Sequence, residues 1–360
     1  MERFDVIVVG GGPAGSTAAT LCAQRGLSVA LIEHKKFPRH KVCGDVINPN
    51  CWPILERLGV AGKIRALHHH KIRGALFATP RGEQVSVTMD ACAIQRSLFD
   101  AALLGHARAC GVSVFESETV HAVTTSREIS TRSERYLAVL GIIGADGRHS
   151  VVSRLSGLAR YGARNNGHIA FQAHFRAPAG MDDCVQLHLF PGGYCGIARI
   201  DDRRVNLCIV APREHARTQH DAEELFARTV WQNPAFFALG LVPEPLEPIQ
   251  SAHPLWSPMN CPATNGVFLV GDALKTVEPF TGQGIFFALR TAELAADAIC
   301  DRDGVVGYAQ AVSRLYRHRT RSNELLRRLL YRHREAGVVM RIVKHWPSAL
   351  HWLAANVLGK

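Results

Sequence analysis

Residues 5–33 read DVIVVGGGPAGSTAATLCAQRGLSVALIE, and few folds accommodate such a stretch. An apolar strand, Val6 to Val9, runs into Gly10, Gly12 and Gly15. An alanine-rich helix follows from about Ala14 to Gln24, Gly26 stops it, and a second apolar strand from Ser28 to Ile32 ends on Glu33. Gly10 permits a tight turn, Gly12 lets the backbone approach a pyrophosphate on the positive end of the helix, and Gly15 lets helix and strand pack closely. Glu33 stands where a carboxylate accepts from a ribose hydroxyl. The pattern predicts a strand–helix–strand unit that binds a dinucleotide, and by itself it does not choose between NAD and FAD.

The rest of the composition narrows the class. A chain of 360 residues can bury a sizeable core in one or two domains. No apolar run is long enough to span a bilayer. Glu2 and Asp5 spoil a basic leader, so a cytoplasmic protein is expected. The ten cysteines lack paired spacing, which argues against a disulfide scaffold or a zinc site. His68, His69 and His70 have no acid or cysteine nearby and read as a strand edge, so no metal is expected. The net charge of +11 is concentrated in the last fifty residues, where eleven Lys/Arg face only Glu324 and Glu335. The remainder is nearly neutral, which excludes a general nucleic-acid binder.

Along the chain, the polar loop HKKFPRHKVCGD (34–45) follows the second strand and hangs over the cofactor. A helix from Cys51 to Leu58, strands at 72–78 and 83–89, and a helix over 95–110 come next. Val120–Ser126 and Arg135–Leu140 read as a hairpin pair across a polar turn, and Ile142–Gly147 as a strand ending in an acid–glycine turn. From 167 to 212 the alternation is β, predicting a sheet that walls a substrate cavity; a helix over 220–236 and a proline-rich segment at 243–256 follow. At 266–299 another apolar strand ends on Gly271-Asp272, and a loop holding Pro279, Gly282 and Gly284 leads into an apolar helix from Ile285. That helix start carries a positive partial charge suited to an anionic ring edge.

Three motifs in this order, GGGPAG at 10–15, GADGRHSVVSR at 144–154 and GDALKTVEPFTGQG at 271–284, carry a resemblance. The chain resembles the FAD-dependent superfamily of aromatic hydroxylases, flavin halogenases and geranylgeranyl reductases. The loop FPRHKVCGD brings it nearest the geranylgeranyl reductase branch. The resemblance implies an α/β fold: a Rossmann-type, glutathione reductase-like FAD-binding domain (1–70, 92–160 and 260–305), an inserted β-rich substrate domain (71–91 and 161–259) and a basic helical tail (306–360). It places FAD on Gly10, Gly12, Pro13, Ala14 and Gly15, with Glu33, His34, Arg39, Cys43 and Gly44 along the next strand and loop. It adds Arg96 and Asp146, and at the redox end Gly271, Asp272, Pro279, Gly282, Gly284 and Ile285. The chain departs from the halogenases, having no Trp-x-Trp, and from the reductases' Tyr-x-Trp-x-Phe-Pro, retaining only Tyr194 in YCGIAR.

These features imply reduction of a C=C bond in an isoprenoid, polyketide or lipid-like molecule, with Cys43, Asp45 and Tyr194 as candidate acids. The alternatives are oxygen-dependent hydroxylation of a hydrophobic or aromatic molecule and a non-catalytic flavoprotein. No second dinucleotide fingerprint occurs, so NAD(P)H or another external donor binds only transiently, or an electron-donor protein docks on the basic tail. That tail, with Arg314, Arg317, Arg321, Arg328 and Arg332 opposite Leu315, Leu325, Leu326, Leu329 and Leu330, and Trp346 and Trp352 beyond, reads either as a solvated helical cap or as a peripheral membrane contact.

Overall fold

The computed structural model describes residues 1–160, 167–215, 219–233, 236, 239–301, 304–344 and 346. The chain opens with β1 (Glu2–Val9), α1 (Pro13–Gln24) and β2 (Val29–Glu33). Val6, Ile7, Val8 and Leu31 are wholly buried, as strands covered on both faces by helices require. A short β3 (Val46–Ile47), α2 (Trp52–Arg57), α3 (Ala61–Arg65) and the antiparallel pair β4 (His70–Ala78) and β5 (Gln84–Ala93) leave this layer. Helix α4 (Arg96–Ala109) returns to it, followed by β6 (Ser113–Glu116), β7 (Ala122–Val123), β8 (Glu128–Ser130), β9 (Arg135–Gly144) and α5 (Val151–Leu155).

The excursion that follows contains β10 (His168–Arg176), β11 (Cys184–Phe190), β12 (Gly193–Arg199), β13 (Arg204–Pro212), α6 (Gln219–Phe226) and β14 (Gln250–Ala252). The chain then comes back through β15 (Ala263–Thr264), β16 (Val267–Leu269) and α7 (Gly284–Cys300), and ends with α8 (Gly304–Tyr331) and α9 (His333–Lys344). The first sheet runs β15-β16-β9-β1-β2-β6, with β8 added to β9 and β7 to β8; β16, β9, β1, β2 and β6 are mutually parallel. The second runs β14-β10-β13-β12-β11-β4-β5-β3. The two Rossmann-like pieces at opposite ends of the sequence thus share one sheet, and the β-rich block is inserted between them.

One local expectation is corrected. Residues 135–144 form a single strand that pairs in parallel with β1, rather than a hairpin arm followed by a separate strand. The polar segment expected to be a turn contains β8, which pairs with β9, while β7 pairs with β8. The apolar run Ile142–Ile143 is buried against Ile7 and Val8, and this carries the strand through Gly141.

The tail packs on both layers. Tyr308, Val312 and Tyr316 on α8 are buried in the first core, where the Tyr316 ring stacks on Phe287 at 4.6 Å and the Tyr308 hydroxyl donates to the Leu269 carbonyl at 2.5 Å. Leu315 packs on this core, so it serves the interior and not an outer apolar face. At 28 residues, about 42 Å of helix, α8 reaches the second sheet, where Tyr331 stacks on His168 of β10 at 3.9 Å. The side chains of Arg321, Leu325, Leu326, Arg328, Leu329 and Leu330, and the whole of Trp352, lie outside the described residues.

Candidate active site

The three sequence motifs meet at the carboxyl ends of β1, β9 and β16. Ala145 N–H donates to the Val9 carbonyl and Val270 N–H to the Gly144 carbonyl, aligning the strand ends. Gly10 has φ +104°, and a Cβ there would overlap the Ala145 carbonyl. A Cβ on Gly15 would overlap the Gly10 carbonyl, so helix and turn touch backbone to backbone. A Cβ on Gly271 would stand 3.1 Å from that of Ala14, which brings the last motif against the first turn of α1.

This cradle fits a dinucleotide. Helix α1 begins with Gly12 and Pro13 and has no side-chain cap, so its first N–H groups are open to a ligand. The Arg39 guanidinium lies 3.3 Å from where a Gly12 Cβ would be, and 3.3 Å from the buried Asp100 carboxylate. Glu33 is buried, accepts from the Gly11 N–H at 2.6 Å and lies 2.9 Å from His34 Nδ1. Burial alone would raise its carboxyl, but the bonds from His34, Gly11 and Lys35 outweigh it and hold it down to about 2, a fixed acceptor for a ribose hydroxyl.

At the other end, Gly282 is left-handed (φ +61°), and a Cβ added at either Gly282 or Gly284 would meet nothing within 4 Å. Helix α7 starts there with no side-chain cap, and Ile285, its second residue, is buried. The open floor and free N–H groups suit the pyrimidine edge of a flavin. Asp272 is half-buried beneath the preceding loop, 3.8 Å from Lys41 Nζ and 3.9 Å from Arg148 NH2. Its carboxylate is placed to accept from ribityl hydroxyls. Lys41 and Arg148 lie within the motifs FPRHKVCGD and GADGRHSVVSR but were not singled out as site residues. Pro279 opens the turn before Gly282.

Asp146 and Arg96, two of the expected cofactor contacts, also make bonds within the protein. Asp146 Oδ2 accepts from the Val151 and Val152 N–H groups at 2.6 and 3.0 Å, capping α5, and burial pushes its carboxyl up. Its backbone lies against Gly10, and its Oδ1 is buried with no hydrogen-bond partner among the described residues. Arg96 is buried in a two-pronged bond to Asp100, 2.8 Å on each side, and also reaches Cys43. The pair sits one helical turn apart, a signal that i,i+4 spacing could have supplied.

The loop carrying Cys43, Gly44 and Asp45 is pinned from the second sheet. Asp45, buried with φ +58°, accepts from Arg96 N–H at 3.0 Å, His174 Nε2 at 2.7 Å and Asn206 Nδ2 at 2.6 Å. Asn206 also donates to the Cys43 carbonyl at 2.8 Å. On its other side, His174 Nδ1 donates to Glu247 Oε1 at 2.5 Å. Burial opposes charge on the imidazole, but Asp45 and Glu247 win and raise it to about 9. With three donors pointing at it, Asp45 anchors the loop to the second sheet.

The sheet wall has two faces. Phe171, Ala173, Phe175, Leu207 and Ile209 turn outward to α6. On the inner face, Tyr194, Val210 and Ala170 form one row, Gly196, Cys208 and Gln172 the next, and Ala198, Asn206 and His174 the third. Tyr194 is buried with Leu189, Leu255, Phe280 and Tyr331, and its phenol is pushed well up by burial, with Tyr331 and Glu278 adding to the effect. Tyr331 donates to Glu278 at 2.6 Å. Cys208 is pushed up to about 12 by burial and by neighbouring Cys43 and Asp45, so it stays a thiol at neutral pH. His174, Asn206, Glu247, Glu278 and Tyr331 were not singled out from the sequence. Among the described residues no group of three or more His, Cys, Asp or Glu is arranged for a metal ion, and no helix is long and apolar enough to cross a membrane.

Comparison with known proteins agrees with this geometry. The chain is 29% identical over 350 residues to a menaquinone reductase of Mycolicibacterium smegmatis, covering 91% of this chain and 84% of that protein. It is 28% identical over 340 residues to digeranylgeranylglycerophospholipid reductase 1 of Methanococcoides burtonii, covering 84% and 76%. The myxobacterial FAD-dependent halogenase CndH superposes with a TM-score of 0.80 at 24% identity over 92% of this chain and 83% of that one, a likeness of fold. Residues 3–299, most of the chain, match the FAD binding domain family. With its glycine cradle, buried Glu33 and uncapped α7 in place, the chain belongs to that family and is an FAD-dependent oxidoreductase.

Proposed function

We propose that the protein reduces a carbon–carbon double bond in a hydrophobic isoprenoid, polyketide or lipid-like molecule. The observation that carries this reading is the inner face of the second sheet: small-sided at its centre and apolar at the end where a buried neutral phenol stands beside the loop leading to Gly282 and Gly284. The names of the two similar reductases above support it. Glu33, the α1 N-terminus and Arg39 hold the adenosine and pyrophosphate part of FAD, Asp272 the ribityl chain, and the Gly282–Gly284 turn with the α7 N-terminus the ring. When bound and reduced, FAD supplies a hydride equivalent. Tyr194 supplies the proton to the other carbon of the double bond, its hydroxyl kept neutral by burial. Gly196, Ala198 and Cys208 keep the wall shallow where a chain-like substrate lies. The electrons come from an external donor, NAD(P)H bound transiently or an electron-donor protein.

The test uses FAD-loaded protein, chemically reduced under anaerobic conditions, with a polyprenyl quinone and a polyprenyl glycerophospholipid. The expected product gains two hydrogens by mass spectrometry. Tyr194→Phe lowers this turnover by about 100-fold while bound FAD is unchanged. Product formed only with oxygen, and carrying oxygen-18, would instead establish hydroxylation and overturn the reductase reading.

A further inference from the structure

Helix α9 presents apolar side chains in two directions. Ala336 is buried and Met340 packs with it in the cluster that contains Tyr194, Leu189 and Leu255. Val338, Ile342 and Trp346, by contrast, are 49%, 57% and 63% exposed. They recur every fourth residue and so form one stripe along the outer side of the helix and past its end. Cations accompany the stripe. Arg332 and Arg341, paired with Glu335 and Glu83 at 2.9 and 3.6 Å, are still 68% and 61% exposed at the side chain, and Arg314 and Arg317 are exposed on α8. The last fifty residues carry eleven Lys/Arg against two Glu, and the sequence from Trp346 to Gly359 contains no Asp, Glu, Lys or Arg.

An apolar stripe with an exposed tryptophan, rimmed by arginines, matches an anionic bilayer surface on both counts. The apolar side chains enter the acyl boundary, and the guanidinium groups meet lipid phosphates. We propose that α9 docks the protein on the surface of an anionic membrane through Val338, Ile342 and Trp346. Because the inner side of the same helix lies on the apolar cluster around Tyr194, docking holds that cluster about one helix diameter, ~10 Å, from the lipid. A role in admitting a lipid substrate rests on the reductase reading above; the docking itself does not.

The test is co-sedimentation of the full FAD-loaded chain with vesicles of phosphatidylcholine plus phosphatidylglycerol, and with phosphatidylcholine alone. The wild type is expected to partition at least about 10-fold more strongly onto the anionic vesicles. The double variant Val338→Glu, Ile342→Glu is expected to lose about 10-fold or more of that binding, with FAD content and melting temperature unchanged because both side chains point into solvent. Should the double variant fail to retain FAD, Trp346→Glu alone reads the same face with the same expected loss. Equal pelleting of wild type and variant, or no pelleting of the wild type with anionic vesicles, would overturn the proposal. So would a wild-type dimer in light scattering that the variant abolishes without any vesicle binding, since a second copy would then be the occupant. Wild type that binds vesicles but reduces no lipid leaves docking standing and removes the reductase reading.

Discussion

His174 gives the sharpest quantitative test of how the two layers are held together. Its imidazole is 5% exposed and bridges Asp45, in the loop over the cofactor, to Glu247 on the proline-rich edge segment. His40 lies 3.7 Å from the other Glu247 oxygen, and Asn206 shares Asp45. The folded value is raised from 6.5 to about 9. At about 1.4 kcal/mol per unit, that is about 3 kcal/mol of stability tied to the charged form. The contribution is fully present below 6.5, where folded and unfolded chains both carry the proton, and is lost as pH rises through about 9. Other groups titrate in this range, among them Lys41, lowered from its ordinary value by burial, and Cys300, whose sign is opposite to that of His174. Cys300 is held down to about 6 by its bond to Cys22 and by Arg25, so its contribution is present at high pH and lost as pH falls. The informative quantity is therefore the difference between wild type and His174→Gln at each pH, which cancels these remote groups. Urea unfolding of the FAD-loaded proteins, followed by circular dichroism and flavin fluorescence, should show that difference shrinking by about 3 kcal/mol between slightly acid and strongly alkaline pH. A difference that stays constant across that range would refute the idea that a charged His174 ties the sheet to the loop.

Gly15→Ala should yield colourless apoprotein, destabilised by about 1–3 kcal/mol or more, because its Cβ meets the Gly10 carbonyl and neither backbone can move without breaking the turn; absorbance of the purified protein near the flavin bands checks it. Asp272→Ala should weaken FAD binding by about 10- to 100-fold, the loss of one or two hydrogen bonds to a charged acceptor, with melting of the apoprotein unchanged because the side chain is half-buried and pairs only loosely with Lys41 and Arg148; fluorescence titration of apoprotein with FAD measures it.

How much of this was legible in the sequence follows from the range of the interactions. The Gly10–Gly15 turn, Glu33 and the Gly282–Gly284 helix entry are local: each requirement is imposed within a few residues, by a positive φ, a close backbone approach or a helix end. They could be read directly, and so could the insertion of the β block, because two parallel-strand patterns must share a sheet. The site's polar anchors could not. Asp45 and His174 are 129 positions apart and Asp45 and Asn206 are 161 apart, and which of them meet depends on strand register. An aspartate after a cysteine–glycine pair looks the same on paper whether it faces three donors or none. The tail misled for a related reason: helical periodicity identifies an apolar face, but it does not say that Leu315 meets the first core while Val338 and Ile342 meet solvent.

Register also decides where chemistry can happen. On the inner wall the pinned Asp45–His174–Asn206 cluster and the Tyr194 row lie two rows apart, at about 7 Å per row, with Gly196 and Cys208 between them. The first cluster is pinned: its carboxylate accepts from three donors and its imidazole lies between two carboxylates. Cys208, in the middle, is likewise held neutral, as a thiol. Tyr194 lies at the opposite end, beside Glu278 on the same loop as Gly282, and is a neutral donor. A substrate laid along the shallow middle row, as proposed above, would meet a rigid, hydrogen-bonded end and an end that carries the neutral phenol of Tyr194. In the reductase reading proposed above, Tyr194→Phe should abolish protonation without loosening the loop, because Tyr194 makes none of the contacts that pin Asp45.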